Sequence, residues 1–232
     1  MAGLYACIAA NLEWDNFFKA ISDLQKSFKE KTVEFQHGII ITIGYSFGRK
    51  VLLSRNDQLL EKKGFWSAFG EALQMICGLL SHHQPLLNSA ACLAIGEMGR
   101  SGPLTEPGND ELREKLVNEM LRLMKSEKVS MKVRERAALS CGLICVGDES
   151  FPDRKKIIQN FLEAAQDIKD VELHLTMGEA LVYASFGPLS PARRDFWTTT
   201  EEDFVATVDP TFSDDMVTFY LLFLLLLFFI SS

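Results

Sequence analysis

The chain is short of chemistry. It carries no H-E-x-x-H, no Walker-type G-x-x-x-x-G-K-[ST] and no EF-hand loop, which removes common sequence routes to zinc proteolysis, nucleotide binding and calcium binding. Cysteine is sparse and badly spaced for zinc: Cys7, Cys77, Cys92, Cys141 and Cys145 form no C-x-x-C pair, and no histidine pair complements them. Most of these cysteines lie inside apolar phrases, where the thiol acts as a small hydrophobe. Their odd number, with no basic and apolar leader at Met1, points to a reducing compartment, the cytoplasm. Basic charge is also scarce. Against 31 acidic residues stand 24 Lys and Arg, a formal net charge of -7, which argues against a dedicated nucleic-acid binder.

What is present is a repeated helical phrase. Asn88 to Leu104 reads NSAACLAIGEMGRSGPL, a helix of small and apolar residues with Gly96 inside it, ending in a turn rich in glycine and proline. An interior glycine weakens a helix by roughly 1 kcal/mol, so its presence points to close approach by a neighbouring backbone. The phrase recurs around Gly44, Gly142 and Gly178, at spacings of 52, 46 and 36 residues. Periods of about 40–47 residues belong to stacked two-helix units of the HEAT and armadillo kind.

A bulkier helix precedes each small-faced one. Trp14, Phe17, Phe18, Ile21, Leu24 and Phe28 step by three and four, as do Trp66, Phe69, Leu73, Ile76, Cys77 and Leu80. Leu112, Leu116, Met120 and Met124 repeat the pattern, and so do Ile157, Ile158, Phe161, Leu162, Ala165 and Ile168. One hairpin cannot bury both of its apolar faces, so neighbours must stack. The expected fold is therefore all-α, a right-handed α-solenoid of HEAT/armadillo-type helical hairpins. Its units are expected at 1–55, 56–100, 101–148 and 149–205, the last including a following loop. The β-branched run Gly38 to Gly44 resembles a strand, but its place in the repeat favours helix. The opening MAGLYACIAANL reads as the cut edge of a longer solenoid.

Few residues stand out as candidate sites, and each has a plain structural explanation. His82 and His83 precede Pro85, yet adjacent residues point apart on a helix and no further ligand is near. Glu97 and Glu179 each follow a repeat glycine, which places them on different hairpins about one stacking step apart, suited to capping rather than acid–base work. Arg122, Lys125, Lys128, Lys132, Arg134 and Arg136 make a basic link, interleaved with Glu127 and Glu135. That link supports an alternative reading as a HEAT-type nucleic-acid or cargo-binding module. Asn109, Asp110 and Glu111 supply an N-cap and an acidic first turn. The loops Gly99 to Asn109 and Gly147 to Asp153 are the expected partner-contacting segments, since loops on rigid scaffolds often carry binding. No catalytic, cofactor-binding or metal-binding residue is assigned, and no cofactor or small-molecule substrate is expected.

Residues 206–232 are unlike the rest. Val217 to Ile230 reads VTFYLLFLLLLFFI, without charge and without small residues. It is shorter than the roughly 20 residues of a spanning helix and has no flanking Lys or Arg to orient it. Phe, Leu and Ser are what pyrimidine-rich codons encode, so the tail reads either as a translated non-coding tract beyond an exon boundary near residue 205 or as a short membrane anchor.

From the second hairpin onward the wording becomes specific. Ala91 to Leu104, Lys132 to Ala137, Val146 to Pro152, Glu172 to Ala180, Ala192 to Trp197 and Thr200 to Phe204 together resemble the proteasome adaptor and scaffold family, large HEAT-repeat proteins associated with the 26S proteasome. The likeness is strong over 85–204 and extends to 1–84. It implies a non-catalytic scaffold whose partners are the proteasome core and regulatory particle, acting in the cytoplasm, the nucleus or at endomembranes. This chain is far shorter than that family's members, and its tail has no counterpart among them.

Overall fold

In a computed structural model of the chain, the described residues are 2–53, 64–100, 104, 110–146 and 151–186. The apolar tail, the segment 187–205 and the link 54–63 lie outside them, as do 101–103, 105–109 and 147–150. Among the described residues the chain forms α1 (Ala2–Ala10), α2 (Trp14–Ser27), a 3-10 turn (Phe28–Glu30), α3 (Val33–Leu53), α4 (Phe65–Cys77) and α5 (Pro85–Gly99). Then follow α6 (Asp110–Lys125), α7 (Met131–Val146), α8 (Arg154–Asp167) and α9 (Val171–Phe186). The described residues contain no strand; the β-branched run 38–44 lies within α3.

The helices sort into two layers by side-chain size. The small-residue helices α1, α3, α5, α7 and α9 stack side by side, and the bulky helices α2, α4, α6 and α8 cover one face of that stack. The result is an all-α solenoid. Side-chain volume explains the division. In α5, all thirteen residues from Leu87 to Gly99 are buried, because neighbours flank it on both sides and a bulky helix lies beneath. The bulky helices bury one stripe each, such as Phe17 and Ile21 of α2 or Leu116, Val117, Met120 and Met124 of α6. Their opposite faces are polar, as expected for amphipathic helices at a surface.

Glycine sets the spacing of the small-residue layer. A Cβ placed on Gly44 would lie 2.5 Å from the Ala94 Cα, one on Gly96 2.9 Å from the Ser140 Cα, and one on Gly142 2.7 Å from the Ala180 Cα. Any side chain there collides with the next helix. Ser140 uses this proximity to donate from Oγ to the Cys92 carbonyl at 2.6 Å.

These contacts also correct the repeat alignment. Gly44 meets the residue two before Gly96, and Gly96 the residue two before Gly142. Gly142 meets Ala180, so its counterpart on α9 is Val182, one helical turn beyond Gly178. The misleading feature was the Gly-Glu dipeptide at 178–179, which mimics the one at 96–97.

Each hairpin is closed by one further device. The fourth residue of every second helix reaches back to a carbonyl at the end of the first. Gln36 Nε2 donates to the Phe28 carbonyl at 2.9 Å, Asn88 Nδ2 to that of Leu80 at 2.5 Å, and Arg134 Nε to that of Met124 at 2.9 Å. His174, whose Nε2 must carry the proton to bond a carbonyl, donates to Ala165 at 3.2 Å. Helix C-termini leave carbonyls without intrahelical partners, and these side chains satisfy them while setting the angle of each hairpin.

Candidate interaction surface

The outward face of the small-residue layer is read from the corrected register. One row across it runs Tyr45, Glu97, Leu143 and Tyr183, on α3, α5, α7 and α9; the row beside it runs Ile41, Leu93, Leu139 and Glu179. Charges on this face act across intervening helices. Burial lowers the pKa of His37 on α3, and Arg136 on α7 lowers it further. Burial raises Tyr45, with Glu97 adding to the rise and Arg136 and Arg100 opposing it. Tyr183 on α9 is raised by burial and then by Glu179, whose carboxylate accepts its hydroxyl at 3.2 Å, and it also senses Arg100 and Glu97 on α5.

Glu97 is 8% exposed at the α3–α5 contact. Its carboxylate faces Arg100 at 3.6 Å. Burial pushes its pKa up, against the opposing pull of Arg100 and Arg49. Glu97 and Glu179, expected at equivalent repeat positions one stacking step apart, instead lie two steps apart, with α7 between them, and in different rows. Glu179 is exposed.

The remaining candidates resolve as structural parts. His82 and His83 do not point apart. They sit in the α4–α5 link with ring centroids 4.3 Å apart, and the Gln84 amide donates to His82 Nδ1 at 3.1 Å. The described residues contain no group of His, Cys, Asp and Glu arranged to hold a metal ion. The basic link is largely committed within the fold: Arg122 pairs with Glu119 at 2.6 Å, Lys132 with Glu135 at 3.0 Å, and Lys125 bonds Asn160 at 2.7 Å. Arg134 is buried in its hairpin clamp. The cysteine thiols on α5 and α7 are buried: desolvation pushes Cys92 and Cys145 up to about 12, and Cys141 well above its ordinary value. Such thiols are poor nucleophiles and poor ligands.

Of the two candidate loops, Gly99, Arg100 and Leu104 are described in the first and Phe151 to Asp153 in the second; Asn109 lies outside the described residues. Phe151 is buried, and Asp153 accepts Arg113 Nε at 3.0 Å. Arg113 also pairs with Asp110 at 2.5 Å, so the second loop ties α6 to α8.

One hydrolase-type motif is present in the chain. Gly44-Tyr45-Ser46-Phe47-Gly48 spells G-x-S-x-G. In a hydrolase that serine sits exposed on a strand-to-helix turn. Here Ser46 lies inside α3, fully buried, and the flanking glycines exist to admit Ala94 and Glu97 of α5. The pattern is packing.

Comparison with known proteins bears on the whole stack. Residues 1–98 match the family described as ECM29, ARM-like repeats. The chain belongs to the ECM29 family. It is 33% identical over 212 residues to the proteasome adapter and scaffold protein ECM29 of Homo sapiens, an alignment covering 86% of this chain and 11% of the human protein. It is 26% identical over 198 residues to the proteasome-associated protein ECM29 homolog of Drosophila melanogaster, covering 75% of this chain and 10% of that one. The chain thus spans about a tenth of the length of these ECM29 relatives. No solved structure matches it. Among the described residues no helix is long and apolar enough to cross a membrane.

Proposed function

We propose that the chain is a non-catalytic scaffold segment that binds the 26S proteasome and contributes to its assembly, stability or localisation. The observation that carries this reading is the alignment with the human proteasome adapter and scaffold protein over 86% of the chain. The geometry supports it. Of the polar groups singled out in the sequence, Arg134 clamps a hairpin, Lys125 joins two repeats, and Glu97, Arg122, Lys132 and Glu179 have partners one turn away, while a stacked layer offers an extended surface for protein contact. On the same reading the segment helps to join core and regulatory particle, and it acts in the cytoplasm, with the nucleus and endomembranes as further sites. The basic link gives little support to nucleic-acid binding, since four of its six cations are already engaged.

Affinity purification of the tagged chain followed by mass spectrometry tests the proposal. Recovery of core and regulatory-particle subunits above an untagged control is expected. A helical, soluble chain that recovers none would contradict it.

A further inference from the structure

We propose that a cleft between the α6–α7 and α8–α9 links binds the carboxyl terminus of a partner protein, with the carboxylate on Arg134 and a basic neighbouring residue at the mouth. Only the protein nature of the ligand rests on the scaffold reading.

A buried cation without a counter-ion is the starting point. Arg134 is 9% exposed, and its Nε donates to the Met124 carbonyl. A guanidinium carries further donors on its Nη atoms, and in Arg134 these meet no acceptor among the described residues. Arg113, buried to a similar degree, is held instead by Asp110 at 2.5 Å and Asp153 at 3.0 Å. A buried charge left uncompensated is costly. The clamps Gln36 and Asn88 raise no such demand, because they are uncharged.

The cleft opens beside this guanidinium. Its volume is about 620 Å³, and Glu127, Asp167, Ile168 and Lys169 line it together with Arg134. That size falls among small-ligand sites, which suits the last few residues of a chain and is too small for a folded domain. A free chain end can reach a recessed cation, and its carboxylate matches the guanidinium fork through two parallel N–H···O bonds. Half-buried Ile168 offers the terminal side chain an apolar wall.

Charge at the mouth selects the neighbouring residue. Lys125 and Glu163 already face each other at 3.6 Å, and Asp170 accepts the Leu173 amide at 2.9 Å. Glu127, Asp167 and Lys169 are exposed and make no ion pair or hydrogen bond with any described residue. Uncommitted charges of both signs therefore line one small cleft. A nucleic-acid backbone fits poorly, because it needs several available cations and meets two carboxylates here. A chain end with its carboxylate beside a lysine or arginine answers both signs.

The test uses the full chain and fluorescence anisotropy with three labelled pentapeptides. One ends in lysine–leucine with a free carboxylate, one is its carboxamide, and one ends in glutamate–leucine. Saturable binding of the first is expected. The carboxamide should bind more weakly by roughly tenfold or more, as for loss of one partner of a desolvated charge pair. The glutamate peptide should lose roughly twofold to fivefold, as exposed pairs allow, and Glu127→Gln with Asp167→Asn should erase that preference. Arg134→Gln should reproduce the loss seen with the carboxamide while keeping the clamp, since Gln36 holds the equivalent place in the first hairpin. Its denaturation midpoint checks folding, and if it unfolds, the carboxamide and the mouth variants decide the matter. The proposal is overturned if the free-carboxylate peptide does not bind, if the carboxamide or the glutamate peptide binds as well, or if folded Arg134→Gln binds like the parent. Proteasome recovery by the same chain is read separately: recovery without carboxylate-dependent binding overturns the cleft alone, and carboxylate-dependent binding without recovery overturns the proteasome reading alone.

Discussion

The two layers of this solenoid are built from opposite materials. The layer of α1, α3, α5, α7 and α9 is held by what its side chains lack, since Gly44, Gly96 and Gly142 let backbones meet. The layer of α2, α4, α6 and α8 is held by what its side chains add. Phe17, Phe65 and Phe69 of α2 and α4 meet Phe47 of α3 edge to face, at 5.3 Å, 6.1 Å and 5.4 Å between centroids. Such pairs contribute about 0.5–1.5 kcal/mol beyond their burial. The lesson is that one layer should fail when atoms are added and the other when they are removed.

The largest effect is expected from removal in the bulky layer. Phe69 is 1% exposed and packs on Phe47, Phe65 and Trp66. Phe69→Ala should cost about 3–5 kcal/mol, read as a lower denaturation midpoint. A loss much below that would mean the aromatic cluster can collapse around the gap.

Addition in the small-residue layer comes next. Gly142→Leu places a side chain against the Ala180 backbone, which cannot rotate aside. The expected loss is about 3 kcal/mol, the upper end for overpacking. A variant that melts like its parent would refute the close-approach account.

Breaking a hairpin clamp sits between the layers and should matter less. Asn88→Ala removes the bond to the Leu80 carbonyl and leaves a buried acceptor, at about 1–3 kcal/mol. Chemical denaturation of Asn88→Ala beside an exposed control such as Gln74→Ala measures it, and equal midpoints would show that water replaces the clamp.

The smallest effect in this series depends on pH. Burial holds Glu97 above its ordinary 4.5, so the fold favours its protonated form. That contribution is present below about 4.5 and is lost as pH rises through the raised value. Glu97→Gln should therefore gain stability relative to the parent between acid and neutral pH. A difference that stays constant across that range, or shrinks toward neutrality, would contradict the assignment.

Much of this architecture was legible in the sequence because size and periodicity are local properties. The three-and-four spacing of Phe17, Ile21 and Leu24 belongs to one helix, and a glycine tolerated at 44, 96 or 142 signals a neighbour without naming it. Register was less legible. Gly178 looked like the fourth repeat glycine, but only the contact between Gly142 and Ala180 shows that Val182 holds that place. The clamps were not legible at all: Gln36, Asn88, Arg134 and His174 share a position and a task, but no chemical type. Arg136 belongs by sequence to a basic link in which Arg122, Lys125 and Lys132 turn out to have carboxylate partners in Glu119, Glu163 and Glu135.

The most direct measurement makes one substitution at four glycines. Ala should destabilise at Gly44 and Gly142, where its Cβ meets the backbone of the next helix. At Gly38 and Gly70, helical positions with nothing within 4 Å of an added Cβ, it should stabilise by roughly 0.5–1 kcal/mol through helix propensity. Denaturant midpoints of the four variants against the parent decide the matter. Two falling and two rising is the predicted result; four shifts of the same sign would contradict the claim that close backbone approach holds the small-residue layer together.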